Sequence, residues 1–197
     1  MSGIETTGSR SARKAAFIDR DGVINVESGF LHRVADLQFL PGAVWGLQRL
    51  QAAGYLLVVI TNQSGIGRGL YTEADYLRLT DHMRHDLAAA GVQLSAVEYC
   101  PHLPDAPIAR YRVDCDCRKP LPGMLLRAAA ALGIDMADSL LVGDRATDIQ
   151  AGRAAGVGRC YLVRSGVALS PSDLALADAV FDDLTACAAS LTPAPAP

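Results

Sequence analysis

The sequence predicts an α/β fold with a doubly wound, mostly parallel sheet and no separate cap domain. Apolar, strand-like runs alternate with amphipathic helical segments along the chain, which is typical of βαβ units. The clearest run, Tyr55–Ile60, is continuously apolar and rich in strand-forming residues, as expected for a strand covered on both faces. Several runs end in polar clusters, which parallel strands would bring together at one edge of the sheet.

The elements are assigned from hydrophobic period and from turn residues. Leu47 and Leu50 share a helical spacing with Val44, and Leu79, Met83 and Leu87 share another with Tyr76. We expect strands at 15–18, 55–60, 96–99, 139–142 and 159–163. We expect helices opened by Pro41-Gly42 and by Thr72-Glu73, helices over 123–131 and 148–155, and a final helical stretch capped by Ser170–Asp173.

Length and composition indicate one globular domain. The chain has 197 residues, of which 50% are hydrophobic and 20% are charged. We predict a single domain over 14–189, a disordered N-terminus over 1–13 and a flexible tail over 190–197. The net charge of -3 gives no basic footprint for nucleic acid or for an anionic membrane. No exposed apolar stripe argues for a dimer, so a monomer is expected.

The N-terminus and the apolar runs indicate the compartment. The first residues lack the apolar core of a secretory signal, and no run approaches the roughly 18 to 20 residues of a spanning helix. A cytoplasmic location is therefore expected. A reducing compartment disfavours disulfides among the five cysteines and favours metal binding or buried thiols.

Two carboxylates, Asp19 and Asp21, follow the first predicted strand with one residue between them. Side chains two apart in an extended segment project to the same side, so the carboxylates would converge. Such a pair repels, and one pKa rises unless a cation joins it. The pattern alone is compatible with a metal site, an acid/base pair or an acidic turn.

Further polar residues follow other strands and narrow these alternatives. Thr61-Asn62 and Asp144 with Asp148 come after the second and fourth predicted strands, and Arg118-Lys119 lies in a long irregular loop. Three carboxylates at one edge supply hard oxygen ligands suited to Mg²⁺. Thr61 and the two cations could hold a phosphoryl group, because phosphoryl transfer depends on positioning and charge.

These motifs resemble those of the haloacid dehalogenase superfamily of phosphohydrolases, over roughly residues 15 to 165. The resemblance implies a Rossmann-like fold of that superfamily and hydrolysis through an aspartyl-phosphate. It implies that Asp19 is the nucleophile and Asp21 the general acid/base, and that Thr61 and Lys119 stabilise the phosphoryl group. Mg²⁺ would be held by Asp19, Asp144 and the backbone carbonyl of Asp21, with Asp148 outside the ligand set.

A cysteine- and histidine-containing loop lies between the third strand and the following helix. Cys100 and His102 are separated by twelve residues from Cys115 and Cys117, in a stretch with no helical or strand period. The four ligands would complete a tetrahedral structural Zn²⁺ site over 100–117, which would fix the loop and place Arg118-Lys119. The alternative is a set of reduced thiols beside a loop histidine. Cys160 and Cys187 are expected to be core thiols.

The zinc-loop motif narrows the resemblance to the subgroup of heptose-1,7-bisphosphate 7-phosphatases and histidinol-phosphate phosphatases. The segments 61–69 and 120–126 resemble the heptose enzymes, whereas 143–150 resembles the histidinol-phosphate group. We expect removal of the 7-phosphate of D-glycero-D-manno-heptose 1,7-bisphosphate, for nucleotide-activated heptose synthesis, with histidinol phosphate as the alternative substrate. The predicted substrate-binding residues are Glu27, Ser28, Gly29, Phe30, Asn62, Gln63, Ser64, Arg118 and Arg145; Arg68 is a further candidate for the second phosphate.

A binding or scaffold protein that kept the fold, and a phosphotransferase with an acceptor other than water, are the alternative classes. The complete set of charges at Asp19, Asp21, Lys119 and Asp144 argues against a scaffold.

Overall fold

The computed structural model describes residues 13–191, and its centre is a six-stranded sheet in which every pair of neighbouring strands is parallel. The strand order β3-β2-β1-β4-β5-β6 places the first strand in the middle, and the chain winds outwards in both directions from it. The strands are β1 Ala15–Ile18, β2 Leu56–Asn62, β3 Leu94–Cys100, β4 Leu140–Gly143, β5 Arg159–Val163 and β6 Ala179–Phe181. The doubly wound α/β fold is confirmed.

Helices cover both faces of the sheet. They are α1 Ala43–Ala52, α2 Ser64–Gly67, α3 Glu73–Ala89, α4 Gly123–Leu132, α5 Ala146–Ala154, α6 Pro171–Leu174 and α7 Leu184–Leu191, with 3₁₀ turns at Val34–Asp36 and Ala109–Tyr111. Alternate residues of β1 enter different cores: Ile18 packs with α1, α3 and α7, whereas Phe17 packs with α4 and α5. This two-sided burial explains why β1 and the centre of β2 are apolar throughout.

The predicted strands are present, and two of them are longer than expected. β2 continues beyond Ile60 because the backbones of Thr61 and Asn62 pair with Tyr99 and Cys100 of β3, whatever the polarity of their side chains. The strand prediction missed β6, which has three half-buried residues and pairs only with β5. A strand this short shows no usable alternation. The stretch capped by Ser170 is a single turn, α6, and the longer terminal helix is α7.

Three residues that were expected in the disordered N-terminus or the flexible tail belong to the fold. Arg13 forms a parallel bridge with Ile134, and Ser190 and Leu191 belong to α7. The remaining positions of these ends, 1–12 and 192–197, lie outside the described residues.

Within residues 13–191 no segment forms a separate cap domain, and no helix there is long and apolar enough to span a membrane. The loops after β1 and before α4 instead form walls at the carboxyl edge of the sheet. Access to that edge is therefore governed by these loops.

Candidate active site

Three carboxylates meet at the carboxyl edge of the central strands. Asp19 follows β1, and Asp144 and Asp148 follow the neighbouring strand β4. One side-chain oxygen from each lies within 4.8 Å of the others. All three are buried, with Asp144 and Asp148 at 0% exposure, and Asp148 also accepts the Arg145 N–H at the start of α5. Asp148, expected outside the ligand set, thus lies inside this cluster.

Lys119 is the buried cation of this cluster. Its Nζ lies 2.9 Å from Asp19 Oδ1 and 2.5 Å from Asp148 Oδ1, and it also donates to the Ile60 carbonyl at 3.0 Å. Burial alone would lower the pKa of Lys119, but the Asp148 and Asp19 charges outweigh burial and raise that pKa. When ionised, the three carboxylates carry more negative charge than the single Lys119 ammonium can balance.

The remaining negative charge and the free oxygens fit a divalent cation. Both carboxylate oxygens of Asp144 are buried without a hydrogen-bond partner. Glycines make room for them, because a Cβ at Gly22 or Gly166 would lie 2.5 or 1.9 Å from Asp144 Oδ2. Burial and the Asp148 charge raise the pKa of Asp144 to about 7. Burial also raises the pKa of Asp19, an effect that Lys119 opposes. A bound cation would keep both carboxylates ionised.

Asp21 does not join this cluster. Its side chain is 19% exposed and borders the cavity, and its oxygens accept hydrogen bonds from Arg20, Asn25 and Gln63. The two carboxylates of the motif therefore face different partners, Lys119 for Asp19 and Arg20 for Asp21.

Thr61 and Asn62 close β2 but serve different purposes. Thr61 Oγ1 accepts from Gln63 Nε2 at 2.9 Å, which leaves the threonine hydroxyl hydrogen available to a ligand in the cavity. Asn62 borders the same cavity, yet its amide binds the backbone of Lys119 on both sides: Oδ1 accepts the Lys119 N–H and Nδ2 donates to the Lys119 carbonyl, each at 3.1 Å. Asn62 thus holds the lysine loop against β2.

These groups open into a cavity of about 560 Å³. The cavity wall contains every predicted substrate-binding residue except Ser28, which is exposed but lies outside it, and Arg68 is likewise exposed outside it. The full lining is Asp19, Asp21, Glu27, Gly29, Phe30, Thr61, Asn62, Gln63, Ser64, Tyr71, Arg118, Lys119, Arg145, Thr147 and Asp148.

Two arginines border the outer part of the cavity. Arg145 Nη2 lies 3.2 Å from Glu27 Oε2, and its Nε lies 3.8 Å from Asp144 Oδ1. Arg118 is half-buried and donates to the His102 carbonyl at 3.3 Å. The Arg145–Glu27 pair is half exposed, and such pairs contribute about 0–1 kcal/mol, so a ligand anion could displace Glu27 at little cost.

Sequence reasoning missed Arg20, Asn25, Tyr71 and Thr147. Arg20 lies between the two aspartates, a position that an extended chain would turn away from the site. Tyr71 has no sequence signal, because the turn of α2 brings it back to Gln63. Thr147 directly precedes Asp148, and that adjacency was its available signal.

The four predicted zinc ligands converge as a second cluster. Their ligand atoms lie within 4.8 Å of one another, with Cys100 Sγ 3.7 Å from Cys115 Sγ and Cys117 Sγ 3.4 Å from His102 Nδ1. Tetrahedral Zn²⁺ with Zn–S bonds of about 2.3 Å sets ligand atoms about 3.8 Å apart, so the cluster could hold zinc. Burial raises the pKa of the Cys100 thiol, which makes a thiolate there dependent on a cation. Cys160 and Cys187 are buried, as expected.

Comparisons with known proteins show the family of the chain. Residues 116–187 match the HAD-hydrolase-like family. The chain is 47% identical over 173 residues to D-glycero-beta-D-manno-heptose-1,7-bisphosphate 7-phosphatase of Vibrio cholerae, covering 88% of this chain and 93% of the relative. It is 46% identical over 153 residues to the D-glycero-alpha-D-manno enzyme of Photorhabdus laumondii, covering 78% and 84%.

A solved structure is also similar. The D,D-heptose 1,7-bisphosphate phosphatase from B. bronchiseptica, complexed with magnesium and phosphate, superposes with a TM-score of 0.78 at 36% identity, covering 90% of this chain and 97% of that one. The chain belongs to the haloacid dehalogenase superfamily and is a phosphatase. This is shown by the 47% identity to a named phosphatase over 88% of the chain, together with the aspartate cluster and its lysine.

Proposed function

We propose that the protein is a Mg²⁺-dependent phosphomonoesterase that removes the 7-phosphate of D-glycero-D-manno-heptose 1,7-bisphosphate, in the synthesis of nucleotide-activated heptose. The identity of 47% to an enzyme with that name, over 88% of the chain, is the observation that carries the substrate. The cavity supports it, since Arg118 and Arg145 lie in its wall beyond the buried lysine and could receive the phosphate that is not cleaved.

The metal would be held by the Asp19 and Asp144 carboxylates together with the Asp21 backbone carbonyl. The unpartnered oxygens of Asp144 and the space left by Gly22 and Gly166 support this assignment. When bound, Mg²⁺ supplies positive charge to the phosphoryl oxygens. Asp148 then keeps Lys119 in place through the 2.5 Å ion pair.

We assign the chemical steps to Asp19 and Asp21. The Asp19 carboxylate attacks phosphorus, the ester P–O bond breaks, and Asp21 gives a proton to the departing alkoxide oxygen. Lys119 Nζ and the Thr61 hydroxyl stabilise the charge on the transferring group. A water molecule, deprotonated by Asp21, then attacks the aspartyl-phosphate and releases phosphate and Asp19.

The second cluster would hold structural Zn²⁺ through Cys100, His102, Cys115 and Cys117. All four protein ligands are used, which leaves no open position for catalysis. Arg118 and Lys119 directly follow Cys117, the last of these ligands. A metal would therefore fix the chain just before Arg118, and Asn62 holds it at Lys119.

Three organisational proposals accompany this function. Residues 14–189 form one phosphatase domain, which limited proteolysis would test. The protein is a cytoplasmic monomer, a location that suits cysteine thiolates. Light scattering on the purified protein and cell fractionation would test the monomer and the compartment.

A substrate comparison tests the proposed function. Phosphate release is measured with MgCl₂ on heptose 1,7-bisphosphate of each anomer and on histidinol phosphate, with the Asp19→Asn variant as control. The expected result is a higher kcat/KM on one heptose anomer and loss of the 7-phosphate signal by ³¹P NMR. A strong preference for histidinol phosphate would replace the proposed substrate with the alternative suggested by residues 143–150.

A further inference from the structure

Three buried residues, Arg20, Asn25 and Gln63, donate hydrogen bonds to the Asp21 side chain. Oδ1 accepts from Arg20 Nε at 3.1 Å, from Arg20 Nη2 at 3.0 Å and from Asn25 Nδ2 at 2.9 Å. Oδ2 accepts from Arg20 Nη2 at 2.8 Å and from Gln63 Nε2 at 3.2 Å. Oδ1 therefore has the fuller set of partners, and Oδ2 is the oxygen better placed to exchange a proton with a ligand.

Arg20 is a buried arginine whose clear ionic partner is Asp21. Its side chain is 1% exposed, its guanidinium lies 5.7 Å from the centre of the Tyr76 ring, and its Nη2 has one long contact with the Leu31 carbonyl at 3.4 Å. Burying a guanidinium is costly unless it is paired. The fork of an arginine matches the two oxygens of a carboxylate, which lysine cannot reproduce. An arginine at position 20 therefore fixes the orientation of the Asp21 carboxylate as well as balancing its charge.

Tyr71 fixes the orientation of Gln63, which also donates to Asp21. The Tyr71 hydroxyl donates to Gln63 Oε1 at 2.5 Å, so Gln63 Nε2 must point towards Asp21 Oδ2 and Thr61 Oγ1. The Tyr71 ring stacks on His32, with ring centres 5.0 Å apart and planes 6° apart. Gly65 leaves the space for this ring, because a Cβ there would lie 2.2 Å from it.

We propose that Arg20 is a positioning residue for Asp21, and that Tyr71 acts on the same carboxylate through Gln63. This inference rests on the proposed function, in which Asp21 gives its proton to the ester oxygen as the P–O bond breaks and the bonding pair remains on that oxygen. Without the arginine fork the carboxyl group is free to turn away from the leaving oxygen. Proton transfer from Asp21 to the leaving oxygen then becomes slower, while attack by Asp19 on phosphorus is retained.

Leaving-group dependence separates this role from a merely structural one. An alkyl phosphate needs a proton on its leaving oxygen, whereas the p-nitrophenolate of p-nitrophenyl phosphate departs without one. The ratio of kcat/KM for an alkyl ester to that for p-nitrophenyl phosphate therefore reports on Asp21. General acid catalysis contributes about 10²- to 10⁴-fold, so Arg20→Lys should lower this ratio by about 10- to 100-fold. Tyr71→Phe, which removes one hydroxyl, should lower the ratio by about fivefold, as for one hydrogen bond.

Three controls make the outcome decisive. Asp21→Asn should show the selective loss in full, and adding Arg20→Lys to it should lower the ratio no further. Arg78→Lys, the same change at an exposed arginine paired with Asp75 on α3, should leave the ratio unchanged. If Arg20→Lys destabilises the fold, Tyr71→Phe still carries the test.

Equal losses on the two ester types in both Arg20→Lys and Tyr71→Phe would overturn the proposal. A further selective loss from Arg20→Lys in the Asp21→Asn background would overturn it as well. If the wild type prefers histidinol phosphate, the proposed substrate is wrong. The ratio of kcat/KM values can then be measured with histidinol phosphate as the alkyl ester, so the role of Arg20 is tested independently of the substrate.

Discussion

Replacing Asn62 with alanine tests whether this residue holds the lysine loop or binds the substrate. In the wild type the Asn62 amide makes two hydrogen bonds to the Lys119 backbone, each at 3.1 Å. A hydrogen bond contributes about 1 kcal/mol net, so losing both should lower the free energy of unfolding by about 2 kcal/mol. Lys119 is 3% exposed, and water can therefore replace the lost partners poorly.

The same change should reduce kcat. The Lys119 Nζ position 2.9 Å from Asp19 Oδ1 depends on the backbone that Asn62 fixes, and misplacement of a catalytic group by about 1 Å can cost about 10²-fold in rate. We expect a loss of about tenfold in kcat with little change in KM, because a partial shift of Lys119 affects the transferring group more than the bound sugar. The assays are urea unfolding and steady-state phosphate release.

Gln51→Ala provides a matched control. Gln51 makes the same type of double contact, accepting the Gln93 N–H at 2.7 Å and donating to the Gly91 carbonyl at 2.9 Å, at an exposed site outside the cavity wall. Its removal should cost less stability, because water reaches the freed groups, and should leave kcat and KM unchanged. A large rise in KM for Asn62→Ala, with the free energy of unfolding unchanged, would refute the role of Asn62 in holding the Lys119 backbone. It would instead support the predicted contact between Asn62 and the substrate.

Four further results are expected. Asp19→Asn should abolish turnover while the unfolding midpoint is retained, and appreciable remaining hydrolysis would rule out an aspartyl-phosphate. Lys119→Met leaves buried carboxylates without their ammonium and should lower the free energy of unfolding by about 3–5 kcal/mol, with part of the loss recovered in MgCl₂; an unchanged urea midpoint would contradict this. Gly166→Ala places a Cβ 1.9 Å from Asp144 Oδ2 and should raise the Mg²⁺ concentration needed for half-maximal activity; an unaltered Mg²⁺ titration would count against the role of Asp144. Elemental analysis should find about one Zn per chain in the wild type and a loss of Zn with a lower Tm in Cys115→Ala; zinc-free wild type that is fully stable would favour reduced thiols.

The alternation of apolar and helical segments was enough to predict the sheet, because burial on both faces imposes long apolar runs on strands such as β2. Parallel strands end at one edge, so Asp19 and Asp144 could be placed together from their positions after two such runs. The pairs Cys100/His102 and Cys115/Cys117 could likewise be placed together, because four such ligands within one loop are typical of a tetrahedral zinc site.

Tertiary structure decided which partners those side chains have. The pairing of Asn62 with Lys119 joins residues 57 positions apart, and the Tyr71–Gln63 contact depends on the turn of α2, so neither follows from local spacing. β6 was missed because three residues carry no periodic pattern and are ordered by pairing with β5. Arg20 was missed because the chain turns after β1, which places its guanidinium against Asp21, where a straight strand would have directed it away. The sequence by itself determined which chemical groups reach the carboxyl edge, because that depends on strand burial; their orientations depend on long-range contacts and were decided only by the folded structure.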